Sequence, residues 1–451
     1  MKWVLMIFLI FALIFPLYGF DLPVGKISDD SVLRMNMLRT WMTETPGRVL
    51  SMSPVIETLG NGDRVRISAQ EGNEEFRVYF SRELTRGASL AERRGTGNFP
   101  GWAQGSWMLT RRKDTGAGTL IRIYLRSDQN AHIQFRPGTS EKCEMDVVIY
   151  GGHIAMSIPI AVPFERLYTM QLNDILKLAD KKFPIRYFEP ISENYTLHRN
   201  LIANVRGSMN NLRFSDDGAI DENGEYVLIE TLQKQNPRTA GLNCSGFAKW
   251  LIDGILKPVT GSRLSIPPLK APFGVRGSSF TELWEESRDV FFGLDWIRNL
   301  AFIANKTLRS PAYGVLEEFE IRNDNFSQIT IYKNNNYITE SYPGFMGEAG
   351  YGMEGLRPLL YTLAIDEPFQ FYLAAVSREI ATPSSPRGTP RLRQYFHVAA
   401  LVPYFDEQGV FRVAVFESAA ETSINSFANR YRAAGHYINL VKIPLTSRFE
   451  P

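Results

Sequence analysis

Asn243-Cys244-Ser245-Gly246-Phe247 opens the apolar run Phe247, Trp250, Leu251 and Ile255, and its residue types suit covalent chemistry. Phe247, Leu251 and Ile255 recur every four residues, so the spacing predicts a helix with one buried stripe. Asn243 is a good N-cap type, which puts Cys244 at the first helical position; Lys257-Pro258 is expected to end the helix. There a thiol faces unpaired N–H groups and the positive end of the helix dipole, which together favour the reactive thiolate. Small Ser245 and Gly246 are expected to leave room beside the sulfur for a substrate. A cysteine nucleophile also needs a base, and the base needs an orienting group. His397 opens the expected strand 397–405, and a second strand, 410–418, follows the turn signal Asp406-Glu407-Gln408-Gly409. A turn centred near Glu407 sets His397 against Glu417 or Ser418. Glu417 interrupts the apolar strand Val413-Ala414-Val415-Phe416, where a charge calls for a partner. His436, in a loop after an expected helix at 423–432, is the competing base. The plainer reading makes Glu417 a strand end and His397 an exposed terminus.

The elements that must position these residues divide the chain. A helical pattern at 30–44 leads in. Short alternating runs then follow at 64–68, 75–80, 106–111, 119–125, 131–135 and 145–150, broken by Gly, Asn and Pro, which predicts a small antiparallel sandwich or barrel. His132 and His153 fall on these strands as structural histidines without a nearby nucleophile. The stretch 163–179 reads as one amphipathic helix, and His198 beyond it as exposed. After Pro258 come a Pro/Gly-rich connection, a capping-box helix opening at 279–282, a helix from about Asp295, and strands at 319–321 and 328–332. A glycine-rich stretch at 344–355 is expected to be a loop and a substrate rim. A strand at 369–376 and a loop at 383–390 precede the His397 hairpin. The expected organisation is a signal peptide at 1–20, a β-rich accessory domain at 21–160, a linking helix at 161–190, and a domain at 191–451 with an insertion at about 258–360.

Compartment follows from the N-terminus. Met1-Lys2, an unbroken apolar run from Trp3 to Phe15 and then Pro16-Leu17-Tyr18-Gly19 read as a secretory signal peptide, the run being short of the roughly 20 residues of a spanning helix. Nothing later in the chain is long and apolar enough to span a bilayer, so a secreted or periplasmic, cell-envelope location is expected without a stable membrane span. The formal net charge of +2 over 451 residues argues against nucleic acid as a partner. The many arginines between Asn61 and Thr139 read as a solvated basic face, or less simply as a surface for an anionic wall polymer. The two cysteines, Cys143 and Cys244, are in an exported chain by default a disulfide, which would make Cys244 structural. Their placement, one in a strand-rich segment and one at a helix start far along the chain, argues for separate thiols.

Cys244-Ser245-Gly246 at a helix start, the strand at 369–376, His397-Val398-Ala399 opening the next strand and Glu417 on its neighbour resemble, in that order, the NlpC-type cell-wall peptidases of the papain-like superfamily. The resemblance covers about a third of the chain. The Tyr and paired glycines usual before the cysteine are missing, about 150 residues separate Cys244 from His397, and the third position is Glu where His, Asn or Gln is usual. It implies an α+β fold, a papain-like antiparallel sheet with a nucleophile helix, preceded here by the all-β accessory domain. It also implies amide hydrolysis in peptidoglycan stem peptides, with Cys244 as nucleophile, His397 as base and Glu417 as orienter, and no metal or organic cofactor. Gln233 and Gln235 are the candidates for a second oxyanion donor beside the Cys244 N–H. Two other classes fit the same residues: a transglutaminase-like acyltransferase, which shares the order Cys, His, acid, and a catalytically inactive envelope-binding module.

Overall fold

The computed structural model describes residues 21–84, 97–273, 290–310, 315–333, 336–381, 391–433 and 435–451. The expected signal peptide, the capping box at 279–282 and the loop at 383–390 lie outside the described residues. The remainder is a mixed α+β structure built on two large antiparallel sheets.

The alternating N-terminal runs become a meander: β1 (Val55–Thr58), β2 (Arg64–Glu71), β3 (Glu75–Arg82), β4 (Trp107–Arg112), β5 (Gly118–Ile123), β6 (Ala131–Pro137), β7 (Cys143–Ile149) and β8 (Gly152–Ile160) pair in chain order. β9 (Gly218–Ile220) and β10 (Tyr226–Leu228) form a separate two-stranded ribbon. β11 (Gln328–Lys333) and β12 (Asn336–Ser341) then return to the edge beside β8, where Ile329 pairs with Gly152. The result is one ten-stranded sheet, not the small sandwich or barrel expected, and part of the expected insertion is built into it.

Before the meander, α1 (Ser31–Met37) runs into a π-helical turn, Leu38–Met42, and α2 (Pro46–Ser51) follows. After it, the helix expected at 163–179 is broken into a 3-10 turn, Phe164–Tyr168, and α3 (Leu172–Ala179). The cause is Arg34 of α1. Its buried guanidinium takes the carbonyls of Leu167, Tyr168 and Met170, and Asp29 Oδ2 accepts from the Leu172 N–H. A continuous helix would need those same groups for itself.

The second half contains α4 (Thr196–Met209), α5 (Cys244–Thr260), α6 (Phe292–Leu308) and α7 (Leu356–Asp366), then a six-stranded sheet. The sheet comprises β13 (Tyr351–Gly352), β14 (Gln370–Ala381), β15 (Arg391–Phe405), β16 (Phe411–Glu417), β17 (Ala420–Ser423) and β18 (Tyr437–Pro444), in the order β13-β18-β14-β15-β16-β17. A short helix, α8 (Ile424–Arg430), connects β17 towards β18. The residues expected as a strand at 319–321 make only an isolated bridge, Glu320 to Val441.

Strand alternation explains how the halves join. On β14, Phe371, Leu373 and Ala375 pack with α5 and α6, whereas Tyr372, Ala374 and Val376 belong to the core that also holds Phe76, Phe80, Ile133 and Phe135 of the meander. The expected unit 191–451 therefore closes one core of its own, between the six-stranded sheet and α5 and α6, and shares a second with 21–160.

Candidate functional site

The helix that carries Cys244 starts where its sequence says it should. Asn243 caps α5, its Oδ1 accepting from the Gly246 N–H at 2.7 Å, so Cys244 is the first helical residue. The stop differs. α5 runs through Pro258 to Thr260 and ends at Gly261, which adopts the left-handed conformation, φ 75°. Pro258 lacks the N–H that would bond the Gly254 carbonyl, and the Glu450 N–H supplies that bond from outside at 2.7 Å. A proline in the last turn is then tolerated. A buried ion pair fixes the helix sideways: Lys249 Nζ donates to Asp253 Oδ2 at 2.7 Å and to the Ile220 carbonyl of β9 at 2.6 Å.

Gly246 and Ser245 have a structural role instead of the expected one of leaving space. A Cβ on Gly246 would lie 1.9 Å from the Gly218 carbonyl oxygen, so β9 crosses the first turn at backbone contact. Ser245 is buried and its carbonyl accepts from Trp296 Nε1 at 2.8 Å.

β15 brings in His397, though the hairpin register is not the expected one. Ala400 faces Phe416 and Phe405 faces Phe411, and pairing of β15 with β16 stops at Ala400. Glu417 is thus a diagonal neighbour of His397, not its opposite, and remains on the same face because side chains alternate. Past Glu417 the chain turns to Ala420 through Ser418 and Ala419, both at positive φ (48° and 63°), in a two-residue hairpin turn. The pair forms all the same: His397 Nε2 lies 2.6 Å from Glu417 Oε2, and Arg430 of α8 donates to Glu417 Oε1, also at 2.6 Å.

With Nε2 held by Glu417, Nδ1 is the ring nitrogen left for the Cys244 thiol, and each of the two groups shifts the titration of the other. The half-buried sulfur lies 4.0 Å from the Ser245 hydroxyl. Burial pushes the Cys244 pKa up. The hydrogen bond and charge of His397, helped by Val398 and Ser245, outweigh it and hold the thiol below its ordinary value. Burial likewise opposes the His397 imidazolium, but Cys244 and Glu417 together push its pKa up to about 9. For Glu417, burial is outweighed by His397 and Arg430, so its carboxyl titrates below the usual range. All three displacements favour thiolate, imidazolium and carboxylate together. The ring of Tyr431 stands beside the imidazole, centroids 5.6 Å apart.

The other candidates are elsewhere. Gln235 pins a loop, its Nε2 donating to the carbonyls of Val227 and Gly241 while its Oε1 accepts from the Gly241 N–H, so its amide has no hydrogen left for an oxyanion. Gln233 is exposed. His436 lies beyond Tyr431, its Nδ1 on the Ala433 carbonyl, and not at the sulfur. His198, expected to be exposed, is fully buried with Nε2 on the Gln370 carbonyl, and burial lowers its pKa to about 4. His132 is buried and His153 is bound to Thr330 Oγ1 at 2.9 Å. Cys143 and Cys244 are both free; burial in β7 pushes the Cys143 thiol up to about 11. No cluster of His, Cys, Asp and Glu among the described residues is arranged to hold a metal ion.

Sequence reasoning missed Arg430. Its signal was slight, an arginine on the element just after the carboxylate.

Residues 23–187 match a domain of unknown function, DUF8515, well under half of the chain and ending before the Cys244 helix. No curated protein and no solved structure matches the chain. No helix of the described residues is long and apolar enough to cross a membrane.

Proposed function

We propose that this chain is a cysteine hydrolase of amide bonds, with Cys244 as nucleophile, His397 as general base and acid, and Glu417 as the group that orients the imidazole. The observation that carries the reading is the His397–Glu417 pair acting on the Cys244 thiol at a helix N-terminus, the thiol pKa lowered and the imidazole pKa raised, each through the other. The Cys244 thiolate attacks the carbonyl carbon, and the imidazolium gives its proton to the leaving amine as the thioester forms. Water, deprotonated by His397, then releases the acid and restores the thiol. The N–H groups of Cys244 and Ser245, which the helix itself leaves unpaired, face the developing oxyanion. The resemblance to NlpC-type peptidases makes the sheet and α5 a papain-like core, and the substrate a peptidoglycan stem peptide met in the cell envelope.

The test needs no substrate. In a Cys143→Ser background, Cys244 is expected to react with iodoacetamide with an apparent pKa well below the free value of about 8.5, and to lose that on His397→Ala. A thiol indifferent to His397 would leave the chain as a binding module.

A further inference from the structure

A cleft of about 980 Å³ lies between the β11–β12 edge of the large sheet and α8, on the face of α8 away from Glu417. Its walls mix polar and apolar side chains, and two of their three cations lack a carboxylate. Lys333 lies 3.8 Å from Glu340, but Arg357 and Arg432 pair with no acid among the described residues, leaving two guanidiniums against Glu354. Arg357 is fixed in place with a donor to spare. Its guanidinium lies 4.2 Å over the Tyr150 ring, Nη1 donates to Asn425 Oδ1 at 3.0 Å, and Nε is shut away from water with no acceptor. A second cavity of about 510 Å³ also meets Arg357; its other arginines are already paired, Arg206 with Glu421 and Arg412 with Asp406, which leaves Arg357 as its free cation among the described residues.

The cleft ends close to the proposed chemistry. His436 on its rim stands against Tyr431, centroids 6.5 Å apart, and Tyr431 stands against His397. We propose that the cleft binds the acidic arm of an extended peptide, with Arg357 as carboxylate anchor, the chain then crossing Tyr431 to present an amide to Cys244. This rests on the hydrolase reading above and deepens it: the substrate must carry a free carboxylate remote from the bond that is cut. A planar guanidinium already fixed by an aromatic face and an amide loses little freedom when it takes a carboxylate.

The experiment is calorimetric titration of full-length Cys244→Ala protein with a free-acid stem tetrapeptide and with its fully amidated counterpart. The free acid is expected to bind at least tenfold more tightly than the amide. Arg357→Ala should abolish that difference, and Arg432→Ala should weaken free-acid binding several-fold. Arg432 is exposed, so its variant keeps the test valid if Arg357→Ala unfolds, which thermal melting reports. Equal binding of acid and amide, or indifference to both substitutions, overturns the anchor. If nothing binds while Cys244 alkylation still depends on His397, the cleft assignment falls and the hydrolase stands. Carboxylate-dependent binding beside a thiol indifferent to His397 instead overturns the link to Cys244.

Discussion

Glu417 divides its two oxygens between His397 and Arg430, 2.6 Å from each, and together with Cys244 it holds the pKa of a buried imidazole up. Glu417→Gln keeps the shape and removes the charge, so the His397 pKa should fall from about 9 towards the free value of roughly 6.5, and hydrolysis should drop about 10²-fold or more. A pH profile of Cys244 alkylation checks the first effect. Stability follows the same groups. The raised His397 pKa contributes stability that is complete below about pH 6.5 and is lost as pH rises through about 9. The lowered Glu417 pKa contributes stability that is present above about pH 4.3 and is lost as pH falls through its depressed value. The lowered Cys244 pKa adds stability as pH rises towards the ordinary thiol range and opposes the His397 loss, so the acid limb is the clear one and is expected to be shallower in Glu417→Gln. A thermal-melting profile that stays unchanged in the variant counts against the coupling.

Two tight backbone arrangements hold these residues. β9 touches the first turn of α5 so closely that Gly246→Ala must displace one of them; the cost is about 1–3 kcal/mol, and with the displacement Cys244 should lose its heightened reactivity. At the other end of the triad, Ser418 and Ala419 hold left-handed conformations that side chains disfavour. Ser418→Gly should relieve the strain and raise stability by about 1 kcal/mol, read as a higher melting temperature. These elements also show what sequence could reveal. The N-cap at Asn243, the alternating runs of the meander and the polarity of Glu417 in an apolar strand depend on neighbours along the chain, and all were legible. The broken helix at 163–179 and the burial of His198 depend on Arg34 and Gln370, which no local pattern ties to them, and the hairpin register on the loop 406–410, which centres on Gln408 and not on Glu407. The same holds for the basic run of the meander: Arg82, Arg111 and Arg126 are buried and Arg136 is tied to Asp146, so part of what reads as a solvated face is internal.

At the scale of the molecule, the shared core makes the two sheets interdependent. Tyr372, Ala374 and Val376 of β14 complete the packing of a meander that ends more than two hundred residues earlier. Tryptophan fluorescence and far-ultraviolet dichroism are expected to report one coincident unfolding transition; two separated transitions would mean that the meander closes its own core. The support for α5 has a further consequence, one of timing. β18 sits inside its sheet between β13 and β14, and Phe449 and Glu450 close over Gly254, yet all are made long after Cys244. While the chain is still being synthesised or threaded, His397 waits on an unfinished sheet and the nucleophile helix lacks the contact that repairs its proline. The proposed site is therefore complete only when the last strand is in place, and a chain cut before Tyr437 should carry a thiol no more reactive than a free cysteine.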